Sequence, residues 1–323
     1  MRILFTSVGR RVELMQAFHK AAKELSQELE IIGADITESA PALQFCDRAE
    51  IVCRISDDNY IPMLLDICER NKVDCLIPTI DTDLLLLSKN RSVFEEIGTK
   101  VLIANPDKVA ICRDKNYTAD YFISLGLKSP VPYNDVKTFE NLLVEEKVTL
   151  PAFIKPKDGS SSINAFKVEN VNDLKLYAEK IEDYIIQEFV YGREYTIDIF
   201  CDYFGNPVYI TPRERIAVRA GEVLKTRIVQ DEKMISEMKI LVADYKPRGQ
   251  ITVQLIQDEQ TGENYYIEIN PRFGGGAPLS MKAGADSAKA TIELLMGHEL
   301  QYQANAAEDG AIYCRFDQSV RVN

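Results

Sequence analysis

The run Tyr265-Tyr-Ile-Glu268-Ile-Asn270-Pro-Arg272 puts a carboxylate, an amide and a guanidinium at every second position of an apolar segment. In an extended strand such residues share one face. Gln254 lies in a second apolar run, Thr252-Val253-Gln254-Leu255, and a turn at Asp258 to Glu263 joins the two, so it can sit across a hairpin from them. Gln254, Glu268 and Asn270 then offer converging oxygen donors. These suit Mg²⁺ (or Mn²⁺), which takes hard ligands and keeps positions for phosphate and water. Arg272, next on that face, is fit to hold a phosphoryl group. A solvated strand face is the bland alternative, and it accounts poorly for strict alternation inside an apolar strand. Gly274-Gly275-Gly276 follows as backbone that a ligand can approach closely.

Three other segments carry chemistry. Pro151-Ala-Phe-Ile-Lys155-Pro-Lys-Asp-Gly159-Ser160-Ser161-Ser162 presents a lysine on a strand and then turns through small residues. Backbone N–H groups and hydroxyls in such a loop can close over phosphate oxygens, with Lys155 as a point charge. A surface hairpin reads equally well. Gln187-Glu188-Phe189-Val190-Tyr191-Gly192-Arg193-Glu194 ends one apolar strand and, past a glycine, opens another. Such a hinge can offer polar groups to a purine edge and Glu194 to ribose hydroxyls; taken alone it reads as a β-bulge without a ligand. Arg213, Arg215 and Arg219 lie on one face of a strand if it is extended throughout. Arg213 and Arg219 are expected to face the cleft and bind a substrate anion, with Arg215 paired to Glu222. Ser7-Val8-Gly9-Arg10-Arg11 meets a first strand and a first helix, and helix N-termini attract anions, but it is not a G-x-G-x-x-G fingerprint.

The elements that must position these groups fall into two styles. Up to residue 110, short apolar runs (Ile3–Phe5, Ile31–Ala34, Cys75–Ile77, Val101–Ile103) alternate with helical stretches 12–25, 60–71 and 84–97. Strands this short between helices suit a parallel sheet covered on both faces. A helix from 107 to 125, stopped by Gly126, leads to a joint carrying Pro130 and Pro132. Beyond Phe153, strands alternate with turns at 158–159, 204–206 and 261–263, the pattern of antiparallel hairpins with helices packed on them.

The 323 residues are 46% hydrophobic and 27% charged, enough for two or three domains. A net charge of −12 repels polyanions, so nucleic acid is not an expected partner. Seven cysteines without C-x-x-C spacing fit reduced thiols in a cytoplasmic protein. The opening MRILFTSVGRR reads as a strand rather than a signal peptide, and no apolar run approaches a membrane span of about 20 residues. His19 and His298, both in helix-like segments, offer little for histidine-centred catalysis.

Together these motifs resemble the ATP-grasp superfamily. The layout is similar to one synthetase half of the carbamoyl-phosphate synthase large chain, with kinship to D-alanine–D-alanine ligase and other carboxylate–amine ligases. The resemblance implies an α/β plus α+β architecture: a Rossmann-like pre-ATP-grasp domain over 1–110, a small lid subdomain over 111–185 and a C-terminal subdomain with the metal site over 186–323. It implies Lys115 and Lys155 as phosphate-binding residues, helped by Gly159, Ser160 and Ser161. Gln187 would meet the adenine amine, the backbone of Glu188 and Val190 the adenine edge, and Glu194 the ribose. Gln254, Glu268 and Asn270 would hold the metal, Arg272 and Lys155 would act in catalysis, and Arg213, Arg219, Gly274 and Gly275 would meet the substrate. The implied reaction is MgATP-dependent activation of a carboxylate as an acyl phosphate for attack by an amine. The assembly would be a homodimer or a pairing with another synthetase chain. One synthetase half without a glutaminase leaves two rival readings, a component of a split carbamoyl-phosphate synthase acting on bicarbonate or carbamate, and a nucleotide-binding regulatory subunit without turnover.

Overall fold

The computed structural model describes residues 1–158 and 164–322, so Gly159, Ser160 and Ser161 lie outside the described residues. The first sheet holds β1 (Arg2–Thr6), β2 (Glu30–Asp35), β3 (Arg48–Ile51), β4 (Cys75–Pro78) and β5 (Lys100–Val101). Its order is β3-β2-β1-β4-β5 and every pairing is parallel. The helices beside it are α1 (Val12–Glu24), α2 (Tyr60–Asn71), α3 (Asp81–Lys89), α4 (Arg91–Glu96), α5 (Pro106–Ile111) and α6 (Lys115–Ser124).

Two expected helices are each divided. The stretch 84–97 breaks at Asn90, which leaves helical geometry and returns its side-chain amide to Leu86 O at 2.9 Å. The stretch 107–125 breaks before Asp114, whose carboxylate accepts from Asn116 N at 2.8 Å and caps a fresh helix. That cap sets Lys115 at the first position of α6. Strand β3 was not legible, because Arg48-Ala-Glu-Ile has no apolar run and lies mostly exposed at the sheet edge. His298 lies beyond the last helix rather than in one.

A three-stranded antiparallel sheet follows, β6 (Ala152–Pro156), β7 (Phe166–Val168) and β8 (Tyr184–Glu188), in the order β7-β6-β8. With α7 (Val136–Val144) and α8 (Val171–Ala178) it encloses a core of its own around Phe139, Ile154, Leu174 and Ile186. The third sheet joins β9 (Gly192–Cys201), β10 (Pro207–Arg219), β11 (Glu222–Ile228), β12 (Gly249–Asp258), β13 (Asn264–Asn270) and β14 (Ile312–Cys314), in the order β13-β12-β9-β10-β11-β14. Helices α9 (Glu232–Tyr245), α10 (Ala277–Lys282) and α11 (Ser287–Leu295) accompany it.

The first and third sheets are fused through shared apolar cores. Leu4, Leu76 and Ile103 join one cluster with Ile197, Ile251 and Met238, while Phe5 and Phe18 join another with Phe273, Ala277 and Ile292. The Phe18 and Phe273 rings meet edge to face at 5.9 Å. Phe273 directly follows Arg272, so this packing anchors the end of the strand that carries Glu268 and Asn270 to the N-terminal sheet.

Candidate active site

A cleft of about 1400 Å³ lies between the small sheet and the six-stranded sheet, closed at one end by residues from the N-terminal sheet. Its floor is a grid set by strand register. Glu268 pairs with Gln254, Gln254 with Thr196 and Thr196 with Arg213, one row across β13, β12, β9 and β10. Asn270, Thr252, Asp198 and Thr211 form the next row on the same face. The expected trio of Gln254, Glu268 and Asn270 is therefore brought together. Asn270 Nδ2 donates to Glu268 Oε1 at 2.8 Å, and Arg272 Nη2 donates to Asn270 Oδ1 at 3.2 Å. The donor set is two amides and one carboxylate with no sulfur or imidazole, which fits Mg²⁺ or Mn²⁺ completed by phosphate and water. Among the described residues no group of three or more His, Cys, Asp or Glu forms an all-protein cage.

The roof is the small sheet. Lys155, on β6 and 8% exposed, lines the cleft beside Phe153, whose ring centroid is 5.8 Å from Nζ. Burial, then the neighbouring Lys115, lowers its pKa to about 8 against the pull of Glu268. Lys115 is lowered as well, chiefly by burial, with Glu268, Asp158 and Asp114 opposing. Its backbone N donates to Lys157 O at 3.3 Å, which ties the start of α6 to the end of the lysine strand.

The hinge leads from β8 into β9, that is, from roof to floor. Gln187 is buried, with Nε2 donating to Pro130 O at 2.6 Å, which leaves its oxygen as the group for the cleft. Glu188 accepts from Thr149 N at 2.9 Å and lines the cleft with Val190. A Cβ on Gly192 would come within 1.9 Å of Gln257 O, so the crossing demands glycine. Glu194, at the start of β9, lines the cleft and pairs with Arg215 Nε at 3.2 Å.

The arginine strand corrects two expectations. Register shifts at 215–217 and 217–218 break the alternation, so Arg219 leaves the face that Arg213 and Arg215 share. Arg219 is exposed, pairs with Asp317 at 3.0 Å, and is not among the residues lining the cleft. Arg215 lines the cleft and bonds Glu194, Thr196 Oγ1 and Gly221 O rather than Glu222. Arg213 is 1% exposed, and its Nε donates to Asp198 Oδ2 at 2.6 Å. Asp198 also accepts from Ser280 Oγ at 2.6 Å and Thr252 Oγ1 at 3.3 Å, while Arg213 Nη1 is buried without a partner among the described residues. A Cβ on Gly276 would stand 2.7 Å from Arg213 Nη2, so the glycine run lies directly on this guanidinium.

Other residues at the site were given no role in this cleft from sequence. Asp81, in the first turn of α3, accepts from Arg272 Nη2 at 2.6 Å and joins the N-terminal sheet to the floor. Arg11, Thr196, Asp198 and Glu222 also line or support the cleft. The Ser7–Arg11 segment was noticed as an anion-friendly helix start, but nothing in the sequence tied it to a strand some 260 residues away.

Residues 3–102 match a family model described as the PylC-like N-terminal domain, and residues 112–276 match the ATP-grasp domain model. The chain is 26% identical over 326 residues to the carbamoyl phosphate synthase large chain, N-terminal section, of Aquifex aeolicus, covering 92% of this chain and 57% of that one. It thus spans little more than half the length of that relative. Among solved structures, biotin carboxylase from Campylobacter jejuni, in a β-γ-ATP complex, superposes with TM-score 0.76 at 18% identity, over 97% of this chain and 75% of that one. The biotin carboxylase domain of Hydrogenobacter thermophilus 2-oxoglutarate carboxylase, in complex with MgADP, ADP and bicarbonate, gives 0.74 at 18% identity, over 97% and 74%. The second model match covers just over half of the chain and runs from just before Lys115 to the glycine run after Arg272. The chain belongs to the ATP-grasp family.

Proposed function

We propose that this protein is an ADP-forming ligase that activates a carboxylate with MgATP and passes it to an amine. The observation that carries the reading is the cross-strand trio Gln254, Glu268 and Asn270 on the floor, with Arg272 beside it and the buried Lys155 on the roof of the same cleft. That arrangement offers cations and hard oxygen donors to a polyphosphate, which suits phosphoryl transfer by positioning and charge.

Adenine would lie at the hinge, accepting from and donating to the backbone near Glu188 and Val190, with the Gln187 oxygen taking the 6-amino group. Glu194 would turn from Arg215 toward the ribose. Lys115 and Lys155 would hold phosphate oxygens from above. Gln254, Glu268 and Asn270 would hold Mg²⁺, which when bound neutralises phosphate charge and orients the γ-phosphoryl group. Arg272, fixed by Asp81, would steady the charge that develops on that group. A carboxylate oxygen attacks the γ-phosphorus in line as the bond to the β–γ bridging oxygen breaks, releasing ADP. The amine then adds to the acyl phosphate, loses a proton, and inorganic phosphate departs with its electron pair.

The three-part division into 1–110, 111–185 and 186–323 goes with this reading, with its second boundary moved past Glu188 because β8 pairs with β6 in the small sheet, as do a cytoplasmic setting and a homodimer or partner synthetase chain. No helix among the described residues is long and apolar enough to cross a membrane, and all seven cysteines are free. Bicarbonate is the carboxylate to try first, because the Hydrogenobacter domain was solved with it. The test is ADP release from MgATP with bicarbonate and a panel of carboxylates, each with and without amines. Release that needs both a carboxylate and an amine supports the ligase. Release with bicarbonate alone favours the split-synthetase reading, and no release with any combination favours a regulatory subunit.

A further inference from the structure

In the N-terminal sheet the chain leaves β1 toward β2 and β3, then returns to place β4 on the other side of β1. The crevice outside the carboxyl ends of β1 and β4 is thus the switch point, where open parallel sheets take ligands. Both ends are firmly held. Thr79 Oγ1 donates to Ser7 O at 2.7 Å and to Thr6 O at 3.0 Å, and Gly9 N donates to Asp35 Oδ2 at 2.8 Å. The crevice opens into the main cleft, where Arg11 and Asp81 line it together with Arg272, Glu222 and the glycine run.

Arg11 is an incompletely paired cation at this end of the cleft. Its side chain is only 19% exposed, yet its contacts are long: Nη2 to Thr79 O at 3.4 Å and Nη1 to Glu222 Oε1 at 3.7 Å. Burial first, and the nearby Arg272 next, depress its pKa. A guanidinium removed from water, crowded by a second cation and lacking a close bidentate partner gains much from an added anion. Arg272 Nε, buried and without a hydrogen-bond partner among the described residues, adds a second unmet donor at the same end of the cleft.

Glu222 occupies the anion's place loosely. It sits beside the tip of the β10–β11 hairpin, where Ala220 and Gly221 both have positive φ, and it is half exposed. Its closer partner is Arg315, at 3.1 Å. A Cβ on Gly275 would lie 2.1 Å from Glu222 Oε2 and 2.8 Å from Arg11 Nη1, so the two side chains meet directly over that glycine.

We propose that Glu222 is an internal stand-in for the substrate's carboxylate: a small organic carboxylate enters at the switch point, takes Arg11 as its bidentate partner, and Glu222 yields to it while keeping Arg315. The inference rests on the carboxylate-activating reading above. It moves the choice of carboxylate onto the N-terminal sheet, so Arg11 is a specificity-determining residue.

The two residues have opposite predicted signs, which a merely structural pair does not. The full-length protein is titrated calorimetrically with bicarbonate, acetate, glycine, L-alanine and succinate, with and without saturating MgADP. At least one probe binds the wild type. R11Q weakens that probe about tenfold or more, and R11K recovers part of the loss because it restores charge without the planar fork. E222Q tightens the probe by about threefold to tenfold, since it removes the competing carboxylate. Circular dichroism establishes that each variant is folded, and MgADP affinity without a carboxylate stays within about twofold of wild type in all three. The proposal is overturned if no probe binds the wild type, if R11Q and R11K bind as wild type does, or if E222Q weakens binding as R11Q does. Loss of MgADP binding by the wild type itself would contradict the nucleotide reading instead, and the nucleotide-free titrations would still decide the role of Arg11.

Discussion

The six-stranded sheet and the small three-stranded sheet face one cleft, but they hold their charges in opposite ways. On the floor Arg213, Arg215 and Arg272 each have a carboxylate partner. Asp198 gathers Arg213, Ser280 and Thr252, Asp81 holds Arg272, and Glu194 holds Arg215. The floor also shares apolar cores with the N-terminal sheet. The roof has a separate core, and its Lys155 is buried with no ion-pair partner among the described residues. A compensated charge is already stabilised and fixed in place, whereas an uncompensated one raises the energy of the empty protein and is relieved by a ligand. The floor is accordingly built to orient and the roof to respond to phosphate.

The contrast breaks first at Glu268. E268Q keeps the shape and the oxygen that Asn270 bonds, but removes the anionic donor. ADP formation at ordinary Mg²⁺ falls about 100-fold or more, while stability in urea changes by less than about 1 kcal/mol. Undiminished turnover would remove Glu268 from the metal site.

Next, the two basic residues should separate stability from binding. R213A leaves Asp198 buried without its cation and costs about 3–5 kcal/mol of stability. The sequence expectation that Arg213 faces the cleft and binds a substrate anion leaves out this burial. K155M removes a buried charge that the empty fold tolerates poorly, so it melts no lower than wild type below pH 8, while MgADP affinity drops about tenfold or more. Equal effects of the two variants on melting would erase the distinction between floor and roof.

A pH test sharpens the same point. Lys155 titrates near 8 in the empty protein, below the ordinary lysine value. Between pH 8 and 10.5 the unfolded chain therefore binds more protons at this site than the native one. Its contribution makes stability rise with pH across that window, with the full penalty present below it. Bound phosphates restore the proton, so MgADP binding at pH 8.5 takes up a fraction of a proton, and uptake fades toward pH 7. Calorimetry in buffers of different ionisation enthalpy reads this directly, and K155M should abolish it. The smallest effect belongs to Arg219, whose replacement by alanine changes stability by less than about 0.5 kcal/mol and leaves turnover intact.

What could be read from the sequence follows from locality. Glu268, Asn270 and Arg272 alternate on a single strand with Gln254 one turn away, so period-two geometry sufficed. The hinge glycine was visible for the same reason. Arg219 was misplaced because a bulge at Ile216 in β10 resets the alternation, and a bulge has no reliable mark in a strand of ordinary composition. The roles of Arg11 and Asp81 escaped because their partners lie far along the chain, and the packing of the first sheet on the third brings them to the cleft. The burial of Arg213 depended likewise on Asp198 and Ser280, from two other elements.

The most direct measurement follows oxygen from the carboxylate substrate. The complete reaction is run with MgATP, an amine and a carboxylate labelled in both oxygens with ¹⁸O, and the inorganic phosphate is analysed by mass. An acyl phosphate formed on this floor transfers one labelled oxygen to phosphate for each ADP released. ADP formation with unlabelled phosphate, both labelled oxygens having stayed out of it, would contradict activation of the carboxylate by phosphorylation.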